Sequence, residues 1–122
     1  MIPQDEWERC APWIEAALAR GMGFHTLEDV LDQCVAGRAV FWPGKRSAVV
    51  TEFQFYPRAK ALNYWLIGGD LDELLDEMAP HIEAWAKAEG CTDVTGAGRR
   101  GWERPLAARG FQTAGIVMRK RL

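Results

Sequence analysis

From Gln4 to Arg20 the apolar positions Trp7, Cys10, Ala11, Ile14 and Leu18 recur at steps of three and four. That spacing predicts a surface helix with one buried face. Gly21 and Gly23 stop it. Thr26 then suits an N-cap, with Asp29 at the capping-box position, and a second helix turns Val30, Leu31 and Cys34 inward up to about Gly37. The pattern changes after that. Arg38–Trp42, Ala48–Tyr56 and Ala61–Ile67 are runs rich in β-branched and aromatic residues, separated by turns at Pro43-Gly44-Lys45 and Pro57–Lys60. Connections this short predict an antiparallel meander.

Gly68-Gly69 breaks the third run. Asp70 follows as an N-cap, with Glu73 three residues on. Leu71, Leu74, Leu75, Met78, Ile82 and Trp85 form the next apolar stripe, which predicts a long helix with Trp85 on its buried side. Pro80 should kink this helix or split it, and Gly90 ends it. Cys91–Thr95 reads as a brief strand. A strand, a helix and a strand imply parallel pairing through a right-handed crossover. Gly96–Gly101 is a glycine-rich turn, Trp102–Arg109 a short helix closed by Gly110, and Phe111–Met118 a last strand. No repeat or linker divides residues 1–122, so a single α/β domain is expected.

Composition narrows the class. Nearly half of the 122 residues are apolar, enough for a core without disulfides or metal. Cys10, Cys34 and Cys91 are odd in number and form no CxxC pair, and neither His25 nor His81 stands at metal-ligand spacing. No metal site and no disulfide framework are expected. The start, MIPQDEWERC, lacks the basic flank and apolar run of a signal peptide, and no stretch has the length of a membrane helix. A cytoplasmic location without membrane contact is the expectation. The net charge of −2 hides an asymmetry. Residues 1–98 balance to −8, whereas residues 99–122 balance to +6, with seven cations against Glu103 alone.

Three stretches carry a resemblance: Trp85-Ala86-Lys87-Ala88-Glu89-Gly90-Cys91, then Gly98-Arg99-Arg100-Gly101-Trp102, then Leu106-Ala107-Ala108-Arg109-Gly110-Phe111. Together they resemble the end of the central helix, the next strand and the late Gly-Phe helix of the GNAT acetyltransferase superfamily, over about residues 60–122. The spacing GR-x-GW-x-R-x-L-x-x-x-GF is similar to small GNAT-like proteins of tailed phages, prophages and gene-transfer particles. The resemblance implies an α/β, GNAT-like fold: an antiparallel meander joined to a parallel strand pair, with flanking helices.

The same resemblance bears on chemistry. Active members carry an Arg/Gln-x-x-Gly-x-Gly/Ala loop whose backbone N–H groups hold the pyrophosphate of coenzyme A at a helix N-terminus. Here that position reads Gly69-Asp70-Leu71-Asp72-Glu73-Leu74, acidic and without a basic residue. A carboxylate about 5 Å from a phosphate repels it by roughly 3 kcal/mol at an effective dielectric near 20. Many members place a general-acid tyrosine where this chain has Leu106, which transfers no proton. Glu52 and Asn63 lie on strands where such enzymes often keep a base, and both read as ordinary strand residues, as His81 reads as structural. No catalytic residue and no cofactor are therefore assigned. For an acetyl-CoA-dependent N-acetyltransferase, the alternative, Leu66, Ile67, Gly68 and Gly69 would line the coenzyme. Gly68-Gly69 also leaves a notch open to some other small ligand. Gly96-Ala97-Gly98-Arg99-Arg100-Gly101 matches GxGxxG, but no acidic residue follows at dinucleotide-site spacing. Arg99, Arg100 and Arg104 around Trp102 suit a protein partner, or nucleic-acid backbone through the basic end. The expectation is a degenerate, non-catalytic GNAT-like protein acting as a binding or structural component of a phage or prophage particle.

Overall fold

The computed structural model describes residues 2–122. Helix α1 spans Gln4–Ala19 and buries Trp7, Cys10 and Ile14, the residues of the stripe. Helix α2 spans Leu27–Val35 and opens on a reciprocal capping box. The Asp29 N–H donates to Thr26 Oγ1 at 3.1 Å, and the Thr26 N–H donates to the Asp29 carboxylate at 2.8 Å. Two donors that the helix cannot satisfy itself thereby find partners.

Strands β1 (Val40–Pro43), β2 (Ser47–Tyr56) and β3 (Ala59–Gly69) form the antiparallel meander. Strand β4 (Asp93–Gly96) pairs parallel with β3, from Ala61 opposite Asp93 to Tyr64 opposite Gly96. The sheet order is β1-β2-β3-β4. The parallel ladder stops where β4 ends, with Gly96 opposite Tyr64, while β3 runs on to Gly69.

A bulge adjusts the faces of β3. Val50 stands opposite Leu66 and Thr51 opposite Tyr64, which leaves Trp65 as the extra residue. A bulge breaks the strict alternation of sides. Trp65 and Leu66 both join the core under α1 and α2, with Trp7, Cys10, Ile14, Val30 and Val50. Tyr64 and Ile67 join the opposite core, with Val49, Leu62, Leu74, Ile82 and Ala86.

Pro80 neither splits nor ends the long helix. A π-helical turn, Glu73–Met78, runs directly into helix α3, Ala79–Ala88. The Ala79 N–H reaches back to the Leu74 carbonyl, a residue further than in an α-helix. The widened turn stands where proline, lacking an N–H and crowding the preceding turn, would strain a regular ladder. Trp85 is half-buried rather than buried. It stands edge-on to Trp42 with centroids 5.1 Å apart and tilted against Phe53 at 5.4 Å. Its ring packs towards the β1 edge of the sheet, where no further strand covers it.

A 3₁₀ turn, Arg100–Trp102, leads into helix α4, Glu103–Ala107, shorter than the sequence suggests. Gly110 follows with a φ of +89°, a conformation that favours glycine. Phe111 packs against the second core, but the strand expected over Phe111–Met118 does not form. Gln112, Thr113, Ala114 and Gly115 offer little apolar surface to hold the backbone against a neighbour, and strand-type side chains alone do not make a strand.

Candidate functional site

The loop after β3 meets the turn between β1 and β2. Asp70 caps the helix start as expected: its Oδ1 accepts from the N–H groups of Asp72 at 2.9 Å and Glu73 at 3.2 Å. Glu73 departs from the expected capping box. The Asp70 N–H donates instead to the Arg46 carbonyl at 3.0 Å. The Glu73 carboxylate turns into the β1–β2 turn, where it accepts from the Arg46 N–H at 2.9 Å and from the Ser47 hydroxyl. Glu73 is only 3% exposed and Ser47 is fully buried. Burial works to raise the Glu73 pKa. Bonds from Ser47 and the Arg46 and Lys45 backbone, with the Arg46 charge, outweigh it and hold the carboxyl below its ordinary value. Arg46 also pairs with Asp70 at 3.0 Å, and that guanidinium holds the Asp70 carboxyl low as well. On the other side, Arg9 of α1 donates to the Gly44 and Lys45 carbonyls at 2.8 and 3.1 Å. The turn is thus clamped between two helices.

Gly68 and Gly69 do not leave a notch. A Cβ on Gly68 would run into the Trp13 carbonyl, and one on Gly69 into the Arg46 carbonyl. Here glycine permits close packing of the chain on itself, with φ at Gly69 of +102°. Leu66 is buried in the first core and Ile67 faces the second, so the four residues Leu66 to Gly69 lie on different sides.

Beyond the end of β4 at Gly96 lies an apolar cavity of about 80 Å³. Ile67, Leu74, Leu75, Trp102, Leu106 and Phe111 are among its walls. At about 30 Å³ per liquid water, it has room for two or three water-sized groups. Tyr64, also in its wall, donates to Glu83 at 3.3 Å. Burial, then the Glu83 charge and bond, push its phenol well above the ordinary value, so it keeps its proton.

Elsewhere, Glu52 and Asn63 are brought together across β2 and β3. Asn63 Nδ2 donates to Glu52 at 3.2 Å, and Thr95 Oγ1 donates to Asn63 Oδ1 at 3.0 Å. This is a cross-strand polar ladder. His81 sits apart from it, edge-on to Trp42 with centroids 6.1 Å apart. Burial pushes the Cys34 thiol up to about 11 and also raises that of Cys10, which leaves both as unreactive packing groups at neutral pH. No helix is long and apolar enough to cross a membrane among the described residues.

Arg99, Arg100 and Arg104 are exposed and enter no salt bridge among the described residues. Trp102 does not stand out with them: it is half-buried in the cavity wall. Of the basic C-terminal residues, Arg109 pairs with the acidic helix, 2.8 Å from Asp76.

No family model and no curated protein matches the chain. Solved structures do. An acetyltransferase from Trypanosoma brucei superposes with a TM-score of 0.59 at 13% identity, covering 79% of this chain and 78% of that one. The fold is GNAT-like. The protein TTHA1254 of Thermus thermophilus gives 0.65 at 15% identity, over 99% of this chain and 93% of that one. A transcriptional regulator from Bacillus halodurans gives 0.63 at 10% identity, over 99% and 96%. Likenesses this remote in sequence speak to the fold alone.

Asp70 takes two helix-start donors. The basic residue that the loop lacks in sequence does arrive in space, as Arg46, but Asp70 and Glu73 already engage it. Sequence reasoning missed both Arg46 and the burial of Glu73, because the contact spans 27 positions. A polar Arg46-Ser47 pair just ahead of the apolar run Ala48-Val49-Val50 was the one available signal.

Proposed function

We propose that this chain is a GNAT-fold protein without acetyl transfer, acting as a binding or structural component of a phage or prophage particle or of its assembly. The observation that carries the reading is Glu73. A buried carboxylate, clamped to the β1–β2 turn, stands where the fold family presents donors to a phosphate. The 80 Å³ cavity at the end of β4 lies below the range of about 300–1,000 Å³ usual for small-ligand sites, whereas the open pocket of about 330 Å³ over Trp42, Glu73 and His81 falls within it. Leu106, in the wall of the smaller cavity, supplies no proton. The phage setting rests on the Gly98–Phe111 spacing. The exposed Arg99, Arg100 and Arg104 offer a surface to a protein partner or to nucleic acid, and no cofactor is required.

The rival reading, an acetyl-CoA-dependent N-acetyltransferase, is favoured by the Trypanosoma brucei neighbour's description as an acetyltransferase. Calorimetry with acetyl-CoA separates the two. The expected result is no binding tighter than roughly millimolar, about −4 kcal/mol. A micromolar dissociation constant would overturn the non-catalytic reading.

A further inference from the structure

The open pocket of about 330 Å³ lies between the β1–β2 turn and the helix after β3. Glu73, Glu77 and His81, spaced four apart, line it from one flank of that helix, whereas Leu74 and Leu75 line the smaller cavity. Its floor is apolar, made by Trp42, Met78 and the buried Ile82. The Trp42 ring is fixed, because its Nε1–H donates to Thr51 Oγ1 at 3.0 Å and Trp85 stands edge-on to it. A wall fixed in advance loses little freedom when a second apolar group packs on it. The charges around this floor differ in availability. Glu73 is engaged by the Arg46 backbone and guanidinium and by Ser47. Lys45 and Glu77 are exposed and enter no ion pair among the described residues. One free cation and one free anion therefore border an apolar floor.

We propose that this pocket binds a free amino acid with an aromatic or large aliphatic side chain. The side chain packs on Trp42, Met78 and Ile82, the ammonium meets Glu77, and the carboxylate meets Lys45. An aromatic ring gains most there, since it meets both an indole and a thioether. Charge selects the zwitterion over its singly charged relatives. A purely anionic ligand is repelled by Glu77, and a purely cationic one by Lys45. The volume falls within the range of small-ligand sites, about 300–1,000 Å³. The proposal goes beyond the function proposed above. It uses neither a phosphate-bearing ligand nor Arg99, Arg100 and Arg104, so it fails separately from that reading.

Proton–nitrogen NMR titration of the full chain tests it, with L-phenylalanine, phenethylamine and hydrocinnamate as probes. The last two are phenylalanine without its carboxylate and without its ammonium. Working near pH 8, above the ordinary histidine value of about 6.5, leaves Lys45 and Glu77 as the free charges of the pocket. L-Phenylalanine should saturate with a dissociation constant below about 1 mM and shift the Gly44 and Lys45 amides and the Trp42 indole N–H. Phenethylamine and hydrocinnamate should each bind at least about tenfold more weakly. Glu77→Gln and Lys45→Met, at exposed positions, should each weaken phenylalanine by about tenfold and leave the melting temperature unchanged. No saturation by about 10 mM overturns the proposal. So does a singly charged probe that binds as tightly as phenylalanine, a variant pair that leaves affinity unchanged, or shifts confined to the smaller cavity around Trp102 and Phe111.

Discussion

The Ser47 hydroxyl donates to the Glu73 carboxylate, joining the start of β2 to the helix after β3 with both side chains out of water. The bond closes a polar cluster in which Glu73 also accepts from the Arg46 backbone. A buried carboxylate is tolerated only when so many donors converge on it. The cluster fixes the start of the helix after β3 to the β1–β2 turn.

Glu73→Ala should therefore destabilise the fold by about 2–4 kcal/mol, because it strands buried donors of Ser47 and the turn backbone. Chemical denaturation at pH 7 measures this. A change under about 0.5 kcal/mol would show that the cluster is not a structural element.

Acid dependence follows from the same group. Glu73 and Asp70 have folded pKa values below their ordinary ones. Their contribution is present above the unfolded carboxylate value of about 4 and is lost as pH falls through the lower folded values. Melting curves from pH 7 to pH 2.5 should show a steep loss below about pH 4 in the wild type. Glu73→Gln should start lower and fall less.

Gly68→Ala should destabilise by more than about 2 kcal/mol, since the new methyl meets the Trp13 backbone rather than a side chain that can swing away. Gly115→Ala, which meets nothing within 4 Å, should be neutral. Equal melting temperatures for the two variants would mean that the Gly68 position is open after all.

The variant with Arg99, Arg100 and Arg104 all changed to Ala should keep its melting temperature, because these side chains hold no internal ion pair among the described residues. If they serve a partner, its binding should weaken and lose salt dependence. Loss of stability without loss of binding would assign the patch to structure instead.

Trp85→Ala should cost about 2–3 kcal/mol, the lower side of the range for large-to-small aromatic changes, because the ring is half-buried. Thermal unfolding checks it. A loss above about 4 kcal/mol would mean that the Trp42–Trp85–Phe53 contacts organise the whole second core.

The residues alone determined what local periodicity and chain connectivity control. The stripe of Trp7, Cys10 and Ile14, the Thr26–Asp29 box, the three meander strands and the parallel β3–β4 pair all follow from spacing, caps and short or long connections. Tertiary structure decided whatever depends on residues far apart in sequence. Burial of Glu73 against Ser47, delivery of Arg46 to a loop with no arginine of its own, and packing of Gly68 on Trp13 have no local signature. The widened turn before Pro80 and the bulge at Trp65 belong here too, since helix and strand patterns each allow several hydrogen-bond registers. Phe111–Met118 marks the boundary most clearly. Its side chains suit a strand, but a strand also needs a neighbouring edge at hydrogen-bonding distance, and the rest of the fold determines whether one is there.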